Sequence, residues 1–161
     1  MAGNILLKEL TSTGNTITST GASTTQGTAT SAGTVDFRSG GTSGAVDAIA
    51  GYFELTSQWA TTTSIVQGTP VADLYLVPAI DGTNFATIDS TSGASYISGN
   101  FYAGTFINAL ASPSTSTNYR FATPVVELFP SIYTVYIINR SGQTISVNWT
   151  LKFVTTEAQY T

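Results

Sequence analysis

The sequence predicts an all-β fold, a β-sandwich of jelly-roll or immunoglobulin-like type behind an extended Ser/Thr/Gly-rich N-terminal arm. Three observations lead there. Apolar and polar residues alternate with the period of two that gives a strand one buried and one wetted face. The five prolines fall between or at the edges of these runs, where a missing amide donor costs least. Helix formers are scarce, because Ser and Thr make up roughly three residues in ten. At 161 residues the chain suits one such domain and can bury a core without staples.

The first 33 residues read as the arm and residues 34–161 as the sandwich. Ile5, Leu6, Leu7 and Leu10 form a short apolar anchor. From Thr11 to about Thr34 the sequence is nearly all Thr, Ser, Gly and Ala, with Ile17 the one large apolar residue. Such a segment suits an extended arm laid across a neighbouring subunit. It also has the composition of a low-complexity tail, and the apolar anchor favours the arm.

Strand patterns begin near Val35. They are expected at Thr34–Arg38, Gly51–Ser57, Val71–Val77, Asn84–Ile88, Phe101–Ile107 and Val125–Phe129. Ile132–Asn139 follows, rich in β-branched and aromatic residues. The clearest alternation is in Thr144–Val154, where Ile145, Val147, Trp149, Leu151 and Phe153 share one face. Asn139-Arg140-Ser141-Gly142-Gln143 between these last two supplies a turn, which predicts a hairpin. Edge strands with few charges would be an aggregation liability in a monomer, so a homo-oligomer or a lattice-bound protein is expected.

Charge and missing residue types narrow the function. Charged residues are 9% of the chain, the net charge is −4, and no two of Lys8, Arg38, Arg120, Arg140 and Lys152 lie within ten residues of each other. Phosphate binding needs clustered cations, so neither nucleic acid nor an anionic membrane is an expected partner. Cysteine is absent, which removes disulfides and thiolate metal sites. Ile5-Leu6-Leu7 is too short for a secretory signal, and no run reaches the roughly 18 apolar residues of a transmembrane helix, so synthesis in the cytoplasm without export is expected.

Histidine is absent too, and with it the usual general base, the Ser-His-Asp arrangement and His-ligated metals. A carboxylate pair of the glycosidase kind would have to come from Glu54, Asp73, Asp81, Asp89 and Glu127, which stand apart in sequence. No catalytic, cofactor-binding or metal-ligating residue is therefore assigned, no cofactor is expected, and the chain is not expected to be an enzyme. Asp81-Gly82-Thr83-Asn84 has too few acids for a calcium loop and reads as a turn. Among the aromatics, Trp149 lies on a buried-pattern face, whereas Trp59 after Gln58 is the candidate exposed aromatic for a sugar platform. Tyr52, Tyr133 and Tyr136 suit the core or an intersubunit contact.

Two stretches carry a resemblance. Leu74-Tyr75-Leu76-Val77-Pro78-Ala79-Ile80-Asp81-Gly82-Thr83-Asn84-Phe85 is a strand with a Val-Pro step before an Asp-Gly-Thr-Asn turn. Leu128-Phe129-Pro130-Ser131-Ile132-Tyr133-Thr134-Val135-Tyr136-Ile137-Ile138-Asn139-Arg140-Ser141-Gly142 is a strand leading into a final turn. Both are similar to small β-sandwich structural proteins of tailed bacteriophages, over roughly residues 71–153; the segment 11–34 has no counterpart. The resemblance implies a virion protein, in first place a capsid decoration (cement) protein on the outer shell, with the major coat protein or other virion proteins as partners. A tail, neck or fibre-associated protein, or a carbohydrate-binding adhesion module, is the alternative. On the decoration reading, Ile5, Leu6, Leu7, Leu10 and Ile17 are the candidate contacts to the coat.

Overall fold

A computed structural model gives the structure of residues 5–9, 15–38, 50–61, 65–89 and 97–160. Residues that favour a pleated, half-buried surface gather in ten strands. These are β1 (Ile5–Glu9), β2 (Asn15–Gly21), β3 (Ala29–Asp36), β4 (Ala50–Ser57), β5 (Pro70–Pro78), β6 (Tyr102–Ile107), β7 (Tyr119–Ala122), β8 (Val126–Glu127), β9 (Ile132–Asn139) and β10 (Trp149–Tyr160). No α-helix occurs among the described residues; Gly99–Phe101 is a single 3-10 turn.

The strands form two sheets, and every pairing is antiparallel. In the first, β10 pairs with β4, with β2 and, farther along, with β1, while β4 also pairs with β7 and β8. The second has the order β3-β9-β5-β6. Alternation along β4 turns Phe53 and Leu55 inward, and along β10 Leu151 and Phe153, all fully buried. Facing them are Leu74 and Leu76 of β5 and Val135 and Ile137 of β9 in the same core. Each such side chain stabilises the fold by about 1.5–3 kcal/mol relative to leaving it in water. The result is all-β and β-sandwich-like.

The second sheet is apolar on its outer face as well. Tyr75, Val77, Ile138 and Ala29 form a second cluster with Ile97, covered by Phe85, Ala86, Ile88 and Phe101 from the β5–β6 connection. This is why residues 71–77 read as an almost unbroken apolar run: both faces are buried over most of it.

Both edge strands of that sheet are kinked at a glycine next to a register shift, Gly33 in β3 at φ 117° and Gly104 in β6 at φ 155°. A Cβ on Gly33 would lie 3.2 Å from the Ile17 carbonyl oxygen, and one on Gly104 3.2 Å from the Thr123 side chain. The bulges thus bring the edges against chain belonging to the opposite sheet, a common protection of an open edge.

Several expectations need correcting. β9 and β10 are in different sheets, so the turn between them links the layers and closes no hairpin. The alternation from Ile145 to Phe153 is interrupted: Val147 is 59% exposed and Asn148 takes φ 64°, a left-handed conformation that Asn tolerates. β10 starts only at Trp149, with Ile145 held in isolated bridges to Thr24 and Trp59. Asn84–Ile88 contributes one bridge, Phe85 to Ala79, and no strand. β7 was not expected. The boundary drawn after residue 33 falls inside β3, residues 15–21 form β2, and Gly21, Thr24, Ala29 and Ala32 are buried.

Candidate functional site

Three regions of the surface group polar or apolar side chains, one of them at the end of the molecule where β3, β5 and β8 run out. Here Phe129 is 80%, Ile80 77% and Val125 61% exposed. Phe129 stays outside because Pro130 and Ser131 turn the chain directly into β9, and the Tyr133 hydroxyl donates to the Phe129 carbonyl at 3.0 Å. Ala79, beside Ile80, donates its amide to the Ile132 carbonyl at 2.8 Å, which holds that loop at the same end. A recess opens between Ala50, Glu127, Leu128 and Phe129. Its neighbourhood is net acidic: Glu127 and Asp81 are exposed, whereas Arg38 is bound to Asp36 at 2.7 Å.

The turn at Asp81 forms as the sequence suggests. Its carboxylate accepts from the Asn84 amide at 2.7 Å, the Asn84 side chain at 2.6 Å and the Thr83 amide at 3.0 Å, with Gly82 at φ 86°. These donors, the Asn84 amide foremost, hold the Asp81 carboxyl well below the ordinary carboxylate range. Asp36 is held down to about 2, first by the Arg38 guanidinium and then by the Arg38 amide.

A second region is the outer face of the β9-β5-β6 layer, beside the cluster that covers the rest of that face. In β6, Ala103 and Phe106 pack toward the main core, so Tyr102 and Thr105 both point outward. Residues three apart in a strand ordinarily lie on opposite faces; the bulge at Gly104 removes that difference. The Tyr102 hydroxyl meets the Thr105 hydroxyl at 2.6 Å, and the Thr105 hydroxyl donates to Asp73 Oδ1 at 2.6 Å. Arg140 Nε donates to Asp73 Oδ2 at 2.7 Å. The bond to Asp73, and after it the Tyr75 hydroxyl, raises the Arg140 guanidinium above its ordinary value. The Tyr102 ring stands edge-on to Tyr75, centroids 5.8 Å apart, and remains 49% exposed.

The third region, at the opposite end of the molecule, is a polar knot. Asn139, fully buried, donates to the carbonyls of Thr24 at 2.7 Å and Gln143 at 2.6 Å, and accepts from the Ser141 amide and hydroxyl. Gln26 accepts from the Gly142 amide at 2.9 Å. With the Asn139 side-chain amide bonded from within on both its nitrogen and its oxygen, the knot ties the 22–28 and 140–148 connections together.

The candidate residues fall differently from expectation. Trp59 is 1% exposed, its ring packed 5.7 Å from both Tyr119 and Phe121, so it is core and offers no platform. Its indole nitrogen and the Ser57 hydroxyl are buried with no hydrogen-bond partner. Ile17 packs half-buried on the main core. Ile5, Leu6 and Leu7 lie on β1, paired in register with Tyr160, Gln159 and Ala158; their side chains and all of Leu10 lie outside the described residues. Glu54 stands opposite Lys152 in the β4–β10 ladder, and Asp73 is joined to Arg140. The grouping of Asp73, Tyr102, Thr105 and Arg140 was missed in the sequence. The isolated Gly104 within a strand pattern was its one signal, since such a glycine marks a bulge.

Comparison of the chain with protein-family models, with curated proteins and with solved structures gave no match.

Proposed function

We propose that the chain is a structural component of a tailed-bacteriophage virion, a capsid decoration protein that sits on the outer shell and stabilises the coat lattice. The observation that carries this reading is the set of large apolar side chains left exposed on the loops, Ile80, Val125 and Phe129, the last of them lining a recess with Ala50, Glu127 and Leu128. Exposed apolar side chains beside a recess on a small domain suit a contact surface. The resemblance over residues 71–153 supplies the kind of assembly. The strand order supports it: β2-β10-β4-β7 facing β3-β9-β5-β6 is read as a jelly roll, an arrangement used by viral coat and lectin domains. The partner on this reading is the major coat protein or another virion protein, engaged in many copies so that modest contacts sum through avidity. The acidic rim of Glu127 and Asp81 suits a shell exterior better than a surface facing the genome.

Sedimentation of the purified chain with coat shells of its own phage tests the proposal. Saturable binding that drops at least tenfold in Phe129→Ser, with an unchanged thermal midpoint, supports it. Shells that bring down neither wild type nor variant contradict it.

A further inference from the structure

We infer that the outer face of β5 and β6 holds a second, independent binding site, and that its ligand class is a neutral pyranose saccharide. Tyr102, Thr105, Asp73 and Arg140 form it, with Tyr75 behind. A sugar ring presents two kinds of surface, a patch of C–H groups and a rim of hydroxyls. The first needs an aromatic face held in one orientation; the second needs planar groups that donate and accept in pairs. Tyr102 meets the first need: its ring is half exposed, its tilt is set by Tyr75, and its hydroxyl is anchored on Thr105 at 2.6 Å. Little side-chain freedom remains to be lost when a ligand stacks on it.

The adjoining Asp73–Arg140 pair meets the second need. The Arg140 side chain is 41% and the Asp73 side chain 17% exposed, so both reach solvent beside the ring. Arg140 engages Asp73 through Nε, at 2.7 Å, and also bonds the Tyr75 hydroxyl; a guanidinium has five N–H groups, so the fork has donors beyond these two partners, and each carboxylate oxygen has a second lone pair. The pair carries no net charge, which favours a neutral ligand over an acidic or basic one. The site is also built at some cost. Gly104 adopts φ 155° inside a strand, and only that bulge brings Tyr102 and Thr105 to the same face. Bulges that re-aim side chains are frequent next to functional sites. Among the described residues, the β5–β6 connection covers this face up to Phe101, and Tyr102 beyond it is 49% exposed.

A saccharide site here requires nothing of the virion assignment, and it differs in place from a platform on Trp59, which is buried. The test is an array of neutral hexose and N-acetylhexosamine oligosaccharides, followed by titration of the best ligand into 15N-labelled protein. Saturable binding is expected, with amide shifts centred on residues 73, 102, 105 and 140. Tyr102→Ala should weaken it about tenfold or more, and Tyr102→Phe, which keeps the ring, by only a few-fold. An array with no signal overturns the inference. So do shifts centred elsewhere, a result that does not depend on any variant folding, and binding that survives Tyr102→Ala.

Discussion

Two glycines decide how the aromatic core closes. A Cβ on Gly21 would overlap the Trp149 indole, and one on Gly51 the Phe153 ring, so each glycine is the floor on which a ring of the neighbouring strand lies. Gly21→Ala and Gly51→Ala should each cost about 1–3 kcal/mol, read as a lower urea midpoint at constant slope. Gly27→Ala has open space and should cost less, about 1 kcal/mol, from its φ of 73° alone. Asn139→Ala strips partners from four groups at once and should cost about 3 kcal/mol. Ser57→Ala removes a buried hydroxyl that has no partner, and should be neutral or stabilising by up to about 1 kcal/mol in the same titration.

Two carboxylates held below their ordinary range shape the acid side of the stability profile. Asp36 falls from the ordinary 3.8 to about 2 in the folded chain, and Asp81 is lowered as well. A depressed folded value means that the unfolded chain takes up protons first as pH falls. The stabilisation is therefore complete above the unfolded value and is lost as pH drops from about 4 through 2. Thermal midpoints of Asp36→Asn and Asp81→Asn should decline less steeply than wild type over that window and lie closest to it at its lower end. Parallel curves would contradict the assignment. These roles were half legible in the sequence: an Asp-Gly-Thr-Asn run announces its turn, whereas the pairing of Asp36 with Arg38 depends on how β3 ends.

At the scale of elements, the alternation of apolar residues was a reliable guide to which face is buried and a poor guide to which strand is the neighbour. Tyr133, Val135 and Ile137 of β9, and Leu151 and Phe153 of β10, are buried as their pattern implies. Yet those strands are in opposite sheets, because period two records burial and carries no information about pairing. Trp59 failed for a related reason: polar neighbours suggested exposure, but β4 continues its alternation past Ser57, and Trp59 follows Phe53 and Leu55 inward. The edges were illegible until the bulges placed Gly33 and Gly104. Gly104→Val opposes the bulge conformation and crowds Thr123, so it should release β6 from β7 and expose an open edge. Light scattering should then show concentration-dependent association absent in wild type.

For the whole molecule, the Thr/Ser/Gly-rich beginning of the chain matters most. Its composition resembles a tail, but β2 and β3 draw their stability from neighbours rather than from large side chains of their own. β2 pairs with the first part of β10, from Trp149 to Phe153, and β3 pairs with β9 from Ala29 to Asp36. Such support from distant parts of the chain, Ile138 for Ala29 and Trp149 for Gly21, leaves no trace in local composition. Removal of residues 1–33 should therefore abolish cooperative unfolding, measured by circular dichroism on heating, instead of leaving a folded sandwich.

The proposed role also belongs to this scale, because a decoration protein is defined by where its copies sit. Mass spectrometry of purified particles, calibrated against the major coat protein, measures that directly. A decoration protein is expected in intact virions at a fixed integer ratio to the coat subunits. Its absence from particles washed free of lysate, with the chain recovered only as soluble protein, would rule out that role.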